Sequence, residues 1–168
     1  MRLLDRMIRA AKLEPELYEE VERDVEATKE ALLVVLIVAV CNAIGAIGIL
    51  GAKGILTGLI AGILGWILWS FVIFLIGVKG FKHTSDMGEL LRCLGFAYSP
   101  LVLGVLGFIP VLGPIILIVA SVWALVAFVI ATRQALDCGT GRAILVAVLG
   151  FIVYWIISAV LSSFVGGF

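Results

Sequence analysis

The sequence predicts an all-α, polytopic membrane protein: five transmembrane helices preceded by an N-terminal cytoplasmic amphipathic helix. Three observations predict it. The runs Ala31–Ala52, Gly54–Val78, Cys93–Thr132 and Ala143–Phe168 contain no Asp, Glu, Lys, Arg or His. About 20 apolar residues at ~1.5 Å rise cross a hydrocarbon core. The third run is interrupted by Pro110-Val-Leu-Gly-Pro114, which divides it into two spans joined by a turn. All but one of the twelve Lys and Arg residues then fall on one side of the five spans.

That asymmetry sets the orientation, because Lys and Arg stay on the cytoplasmic side. The N-terminus and the loops 79–92 and 133–142 are expected in the cytoplasm. Lys53, the turn around Pro110 and Pro114, and the C-terminus are expected outside. The chain divides into a cytoplasmic helical segment, 1–30, and a five-span membrane domain, 31–168. The spans lie near 31–50, 55–78, 93–109, 115–132 and 143–165. A re-entrant hairpin over 93–132 would return the chain to the same side and is an open alternative. The expected localisation is a multi-pass protein of the cell membrane.

Residues are 63% hydrophobic, which excludes an ordinary soluble domain, and the net charge of zero points to no nucleic-acid partner. The first twelve residues lack the continuous apolar region of a cleavable signal peptide. Cys41, Cys93 and Cys138 have no metal-ligand spacing, so no metal or cofactor is expected.

Leu3, Leu4, Met7, Ile8 and Ala11 recur at helical spacing, with Arg2, Arg6, Arg9 and Lys12 largely off that stripe. This is the pattern of an interfacial helix, able to draw anionic lipid, or of a helix packed on the protein's own cytoplasmic face. Pro15 with Glu14, Glu16, Glu19 and Glu20 starts a second helix. No Gly or Pro follows until Gly45, so this helix is expected to run unbroken into the first span. Gly54, Gly58 and Gly62 permit close helix approach, within the monomer or in a homo-oligomer. Asp86 with Glu89 resembles a capping box opening the third membrane helix. Arg133 and Asp137, four apart, can pair on one helix face, with Gly139 as the helix stop and Thr140 as the next cap.

The spans hold no ionisable side chain, no paired carboxylates and no hydrolase or metalloenzyme motif, so no enzymatic activity is expected. Asn42 is the costliest polar group to bury and is expected to bond across helices. Pro100 lacks an N–H and leaves the Phe96 carbonyl without its helical partner. A kink is expected there, with Tyr98 or Ser99 turned inward.

Gly95-Phe-Ala-Tyr-Ser-Pro100, Ile109-Pro-Val-Leu-Gly-Pro114, and Arg133-Gln-Ala-Leu-Asp137 with Gly141-Arg-Ala143 resemble the Yip family, five-span proteins named for interaction with Ypt/Rab GTPases. The similarity is clearest over Glu89–Tyr154 and nearer to prokaryotic members. It implies no catalysis. Eukaryotic members carry Asp-Leu-Tyr-Gly-Pro after a long cytoplasmic segment; here Leu17-Tyr18 is followed by Glu19-Glu20, so Rab binding is not carried over.

The expected function is that of a membrane scaffold or adaptor, with the lipid bilayer and a cytoplasmic protein as partners. Tyr98, Pro100, Pro110, Pro114, Arg133, Gln134, Asp137, Arg142 and Asn42 are the candidate structural or interaction residues. The alternative is a small-solute or ion permease. A polar cavity at mid-depth would favour the permease, and a dry small-residue core the adaptor.

Overall fold

The computed structural model describes residues 2–165, with side-chain surroundings for 2–46, 56 and 58–157. All its regular elements are helical: α1 Arg2–Ala11, α2 Pro15–Arg23, α3 Ala27–Gly45, α4 Ile47–Phe74, α5 Met87–Ala97, α6 Leu112–Ala135 and α7 Thr140–Val165. α4 continues as a π-helical stretch, Leu75–Gly80, and α5 as a 3-10 stretch, Ser99–Phe108.

Segments of α3, α4 with its π extension, α6 and α7 are each long and apolar enough to cross a membrane. The fifth candidate is the pair α5 and its 3-10 extension, bent by 41°. Its apolar part is short, and two features lengthen it. The Asp86–Glu89 capping box starts the helix at Met87: Asp86 Oδ1 accepts from the Glu89 N–H at 2.8 Å, and Glu89 Oε2 from the Asp86 N–H at 2.9 Å. The 3-10 rise of ~2.0 Å per residue then adds about 5 Å over ten residues relative to α-helix. The pair therefore runs as far as α3 does: Gly95 packs on Ala31 near the start of α3, and Gly107 on Gly45 at its end. The pair and α3 thus lie side by side along the length of α3.

α5 is the axis of the bundle. Leu90, Cys93, Leu94, Phe96 and Ala97 are wholly buried, and α2, α3, α4 and α6 all pack on it. α6 shows how the bundle is built without a large-residue core. Ala120, Ala124, Ala127, Ala131 and Ala135 form its buried stripe, while Ile118, Val122, Leu125 and Val126 face outward. Small residues inside and large apolar residues outside suit a helix packed in lipid.

The closest approach involves glycines far apart in sequence. A Cβ on Gly45 would fall on the Gly104 carbonyl, one on Gly104 on the Asn42 amide oxygen, and one on Gly113 on the Gly107 carbonyl. These positions lock α3, the 3-10 stretch and the start of α6. Gly62 meets only the Ala39 methyl at 3.2 Å, and Gly58 faces open space; Gly54 lies outside the residues whose surroundings are described.

The N-terminal region departs most from expectation. The helix from Pro15 does not run unbroken: Asp24 is extended (φ −91°, ψ 96°), and α3 starts afresh at Ala27. The break lets the Asp24 carboxylate meet Arg2 and Arg6. The helical break between α3 and α4 falls at Ala46 and not around Lys53, which lies inside α4. α1 packs on the protein through Arg6, Met7 and Ala10 and leaves Leu4 and Ile8 exposed. Trp123 Nε1 donates to the Ala11 carbonyl at 2.7 Å, so the α1–α2 connection rests against the middle of α6.

Candidate functional site

Two places concentrate polar chemistry: the charged end of the bundle, and the bend at Pro100. At the charged end, three helices close on Arg6, whose side chain is only 1% exposed. Its Nε and Nη2 donate to Glu20 Oε1 at 3.0 and 2.7 Å, Nη2 also to Asp24 Oδ2 at 2.9 Å, and Nη1 to Glu30 Oε2 at 2.7 Å. Arg9 adds Glu14 at 3.0 Å and the second Glu20 oxygen at 2.7 Å. Planar guanidinium forks suit such multidentate pairing. Bonds from Arg9 and then Arg6 hold Glu20 below the usual carboxylate range, and Arg6 does the same for Asp24. Burial works against the Arg6 charge, but its bonds to Asp24, Glu30 and Glu20 outweigh it and raise its pKa. With Arg2, Arg6 and Arg9 all paired within the protein, little positive charge on α1 is left for anionic lipid.

Arg92 ties this hairpin to α5. Its Nε donates to the Val21 and Glu22 carbonyls at 3.0 and 3.1 Å, and Nη2 also bonds Glu22 O. These are carbonyls left over at the end of α2, so a cation there satisfies both hydrogen bonds and helix dipole. Leu17, Tyr18 and Val21 are wholly buried beneath, and the Tyr18 carbonyl accepts from Cys93 Sγ at 3.5 Å. Leu17-Tyr18 is thus a packing anchor, not an exposed motif.

Arg92 spends its donors on carbonyls, and the half-buried Glu22 carboxyl sits nearby with Glu89 and Asp137. Burial first, then these two acids, push its pKa up to about 7, against Arg23 and Arg92. A carboxyl raised on folding costs stability as pH rises from its unfolded value, near 4.3, through its folded one. The melting temperature in detergent is expected to fall between about pH 5 and pH 8. Glu22→Gln is expected to flatten that slope and to melt higher than wild type at the upper pH; an unchanged slope would refute the assignment.

The sequence-predicted residues of the next loop behave differently from one another. Gln134 Nε2 donates to Glu19 Oε1 at 2.8 Å, joining α6 to α2, and its own Oε1 accepts from Arg133 Nε at 3.0 Å. The expected Arg133–Asp137 pair does not form. α6 ends at Ala135, and Asp137 takes a left-handed φ of 46°, off the helix face; it, and not Gly139, makes the left-handed stop. Arg142 is exposed on the first turn of α7. Leu136 packs on Gly77, which brings this loop against the end of α4, where Lys79, Phe81 and Lys82 are exposed.

At the opposite end, Pro110 and Pro114 are both exposed around the turn into α6. Val111 has φ 67°, ψ −49°, and the Leu112 N–H reaches the Pro110 carbonyl at 2.7 Å, a tight γ-turn that is strained for a branched residue. These prolines shape the turn and are remote from the charged end.

The bend at Pro100 forms as the missing N–H requires. Ser99 Oγ donates to the Phe96 carbonyl at 2.7 Å, so the oxygen freed by proline is satisfied inside the bundle. Ser99 and Pro100 are buried. Tyr98 and Leu101 separate two cavities of about 260 and 250 Å³. The first lies between α3, α4 and the bend, with Asn42, Gly58 and Gly62 on its wall. Asn42 packs its amide on Gly104. The second is walled by aromatic rings from α4, α6 and α7. No ionisable acid or base other than tyrosine lines either. Pro100→Ala is expected to straighten the helix, withdraw Tyr98 and Leu101 from the cavity walls and lower thermal stability in detergent; an unchanged melt would mean the bend has no architectural role.

Sequence reasoning missed Arg6 and Arg92. Arg6 reads as one more basic residue of an amphipathic helix, and only the converging acids of two other helices single it out. Among the described residues, no cluster of three or more His, Cys, Asp or Glu side chains is arranged to hold a metal ion.

The Yip1 domain profile matches residues 18–162, from the buried Tyr18 of α2 through most of α7. No curated protein and no solved structure matches the chain. With a family match over most of its length and four to five membrane-crossing helices, the chain belongs to the Yip1 domain family of multi-pass membrane proteins.

Proposed function

We propose that the protein is a non-enzymatic membrane scaffold or adaptor whose working surface is the charged end of the bundle, facing the cytoplasm. The observation that carries this reading is the locked polar layer. Arg6 joins α1, α2 and α3, Arg92 joins α2 to α5, and Gln134 joins α2 to α6. A surface held this way is presented to a partner without an ordering cost. The exposed loops Lys79–Lys82 and Asp137–Arg142 form its accessible part. The basic asymmetry of the sequence supports the cytoplasmic orientation. The apolar linings of both cavities speak against a permease, which needs polar or charged groups along its path. A homo-oligomer through the small residues Gly54, Gly58 and Gly62 of α4 would extend the scaffold.

The test is photo-crosslinking in native membranes, with the photoreactive residue at Lys82, at Arg142, or at the exposed Phe151 of α7. Protein adducts are expected at the first two positions and lipid adducts at the third. Lipid adducts alone at all three would remove the adaptor reading.

A further inference from the structure

The α1–α2 hairpin carries charge further along the bundle than a helix pair at the charged end needs to. α1 starts beside Asp24, which pairs with Arg2, and packs on the 3-10 stretch Ser99–Phe108. Its last carbonyl, that of Ala11, accepts from Trp123 Nε1. α2 then returns: the Tyr18 carbonyl meets Cys93, Glu19 meets Gln134, and Arg92 closes on the Val21 and Glu22 carbonyls. Trp123 precedes Ala135, the last residue of α6, by twelve residues, ~18 Å along the axis. The tip of the hairpin therefore lies near the middle of a core ~30 Å thick.

The aromatic contacts give the same level independently. Phe128 of α6 and Phe151 of α7 both meet the Trp69 ring, at 6.0 and 6.4 Å, so they share a height. Trp123 lies five residues further from the charged end than Phe128. At this height α7 presents Phe151, Ile152 and Trp155 outward. The hairpin packs on α5 and α6, away from α7, and its tip instead exposes Lys12 and Glu16. Neither belongs to the ion pairs of Arg6 and Arg9.

A flat bilayer does not suit both flanks. A charged side chain at mid-depth is costly; the long stem of lysine lets it snorkel, and the shorter glutamate reaches less far. Between Leu112 and Trp123, α6 offers eleven residues, ~17 Å of apolar height. A short apolar height is met by thinning of the bilayer around it. Trp123 is 38% exposed with its N–H engaged, as suits a tryptophan at a membrane–water boundary. The charges of the tip select the lipid. Lys12 matches a phosphate and Glu16 an ammonium group, the two ends of a zwitterionic headgroup, while Arg2, Arg6 and Arg9 are paired within the protein and leave little excess of positive charge.

We infer that the outer face of the hairpin tip binds zwitterionic phospholipid headgroups of the leaflet around the charged end and draws them down to the level of Trp123. The bilayer is then thinner along the hairpin than along α7. This holds whichever partner the charged end takes. It gives the Arg6 layer a second consequence: the bonds that join α1, α2 and α3 also hold the hairpin at this depth.

The test uses the full chain in phosphatidylcholine vesicles, with Cys41 and Cys138 replaced by alanine and the enclosed Cys93 kept. A bimane is placed at Lys12→Cys, at Glu16→Cys, or at Ile152→Cys as the control of similar height on α7. The two hairpin variants each keep the other's charge. All three positions are exposed, so the fold is kept, and the melt of each labelled protein reports it. Quenching is read with lipid carrying a nitroxide on the headgroup or on the middle of the acyl chain. Both hairpin positions are expected to be quenched severalfold more by the headgroup label, and Ile152 severalfold more by the chain label. Stronger quenching by the chain label at either hairpin position would overturn the proposal. So would headgroup-level quenching at Ile152, which would mean that the whole end of the bundle stands clear of the bilayer. Absence of quenching by either lipid at the hairpin would mean that protein covers it, and would overturn the proposal as well.

Discussion

Gly45→Ala is expected to destabilise the protein by about 3 kcal/mol or more, at the upper end of overpacking effects. The added methyl falls on the Gly104 carbonyl, with the Gly107 N–H at 3.2 Å behind it. Both obstacles are backbone of the 3-10 stretch, which is itself pinned between α3 and α6 and cannot step aside. Gly104→Ala should cost less, because the atom it meets is the end of the Asn42 side chain, which can rotate. The Asn42→Ala, Gly104→Ala double variant should then recover part of that loss, as contacting sites are not additive. Melting in detergent and monodispersity on gel filtration measure both. A Gly45→Ala protein as stable as wild type would show that the α3 contact is not the one described.

Arg6→Met is the second large effect. It leaves Glu20, Asp24 and Glu30 facing one another without their shared cation. Removing one partner of a fully buried ion pair costs about 3–5 kcal/mol. Here the carboxylates keep 22–41% exposure and can rehydrate. We therefore expect a loss of about 2 kcal/mol, discounted for solvent screening. The loss should be local first, with α1 and α2 becoming open to protease before the bundle melts. Its pH dependence follows from the depressed pKa values of Glu20 and Asp24. Acids lowered on folding contribute stability above their unfolded pKa and lose it as pH falls through the folded one. The wild type should therefore lose stability below about pH 4, and Arg6→Met should lose much less over the same window. A variant whose α1–α2 region is as protease-resistant as wild type would refute the role given to Arg6.

Much of the architecture was legible because the bilayer imposes simple rules. Uncharged runs mark the long helices, Asp86 with Glu89 marks a start, and Pro100 marks a bend whose orphan carbonyl must be satisfied. What was not legible depends on contacts between distant residues. Gly54, Gly58 and Gly62 draw attention by their spacing, yet the tight seam uses Gly45, Gly104, Gly107 and Gly113, which share no period. The alanine stripe of α6 was there to be read and marks its buried face better than any polar residue does. The break at Asp24 has no Gly or Pro to announce it, since it is held by arginines twenty residues upstream. Arg133 and Asp137 illustrate the reverse error: helical spacing suggests a pair, but the helix ends before the second residue. Cys93, next to Arg92 in the chain, is wholly enclosed, its sulfur on the Tyr18 carbonyl.

The reading of the charged end as a cytoplasmic working surface is tested most directly by the one thiol placed there within reach of solvent. Cys138 is half-buried in the loop between α6 and α7, and burial raises its thiol pKa, so labelling calls for mildly alkaline buffer. In a variant retaining only Cys138, a membrane-impermeant maleimide should label inside-out vesicles and leave intact right-side-out vesicles unlabelled until they are permeabilised. Labelling of Cys138 from the outer side of intact vesicles would place the Arg6 and Arg92 layer outside the cell and contradict the account.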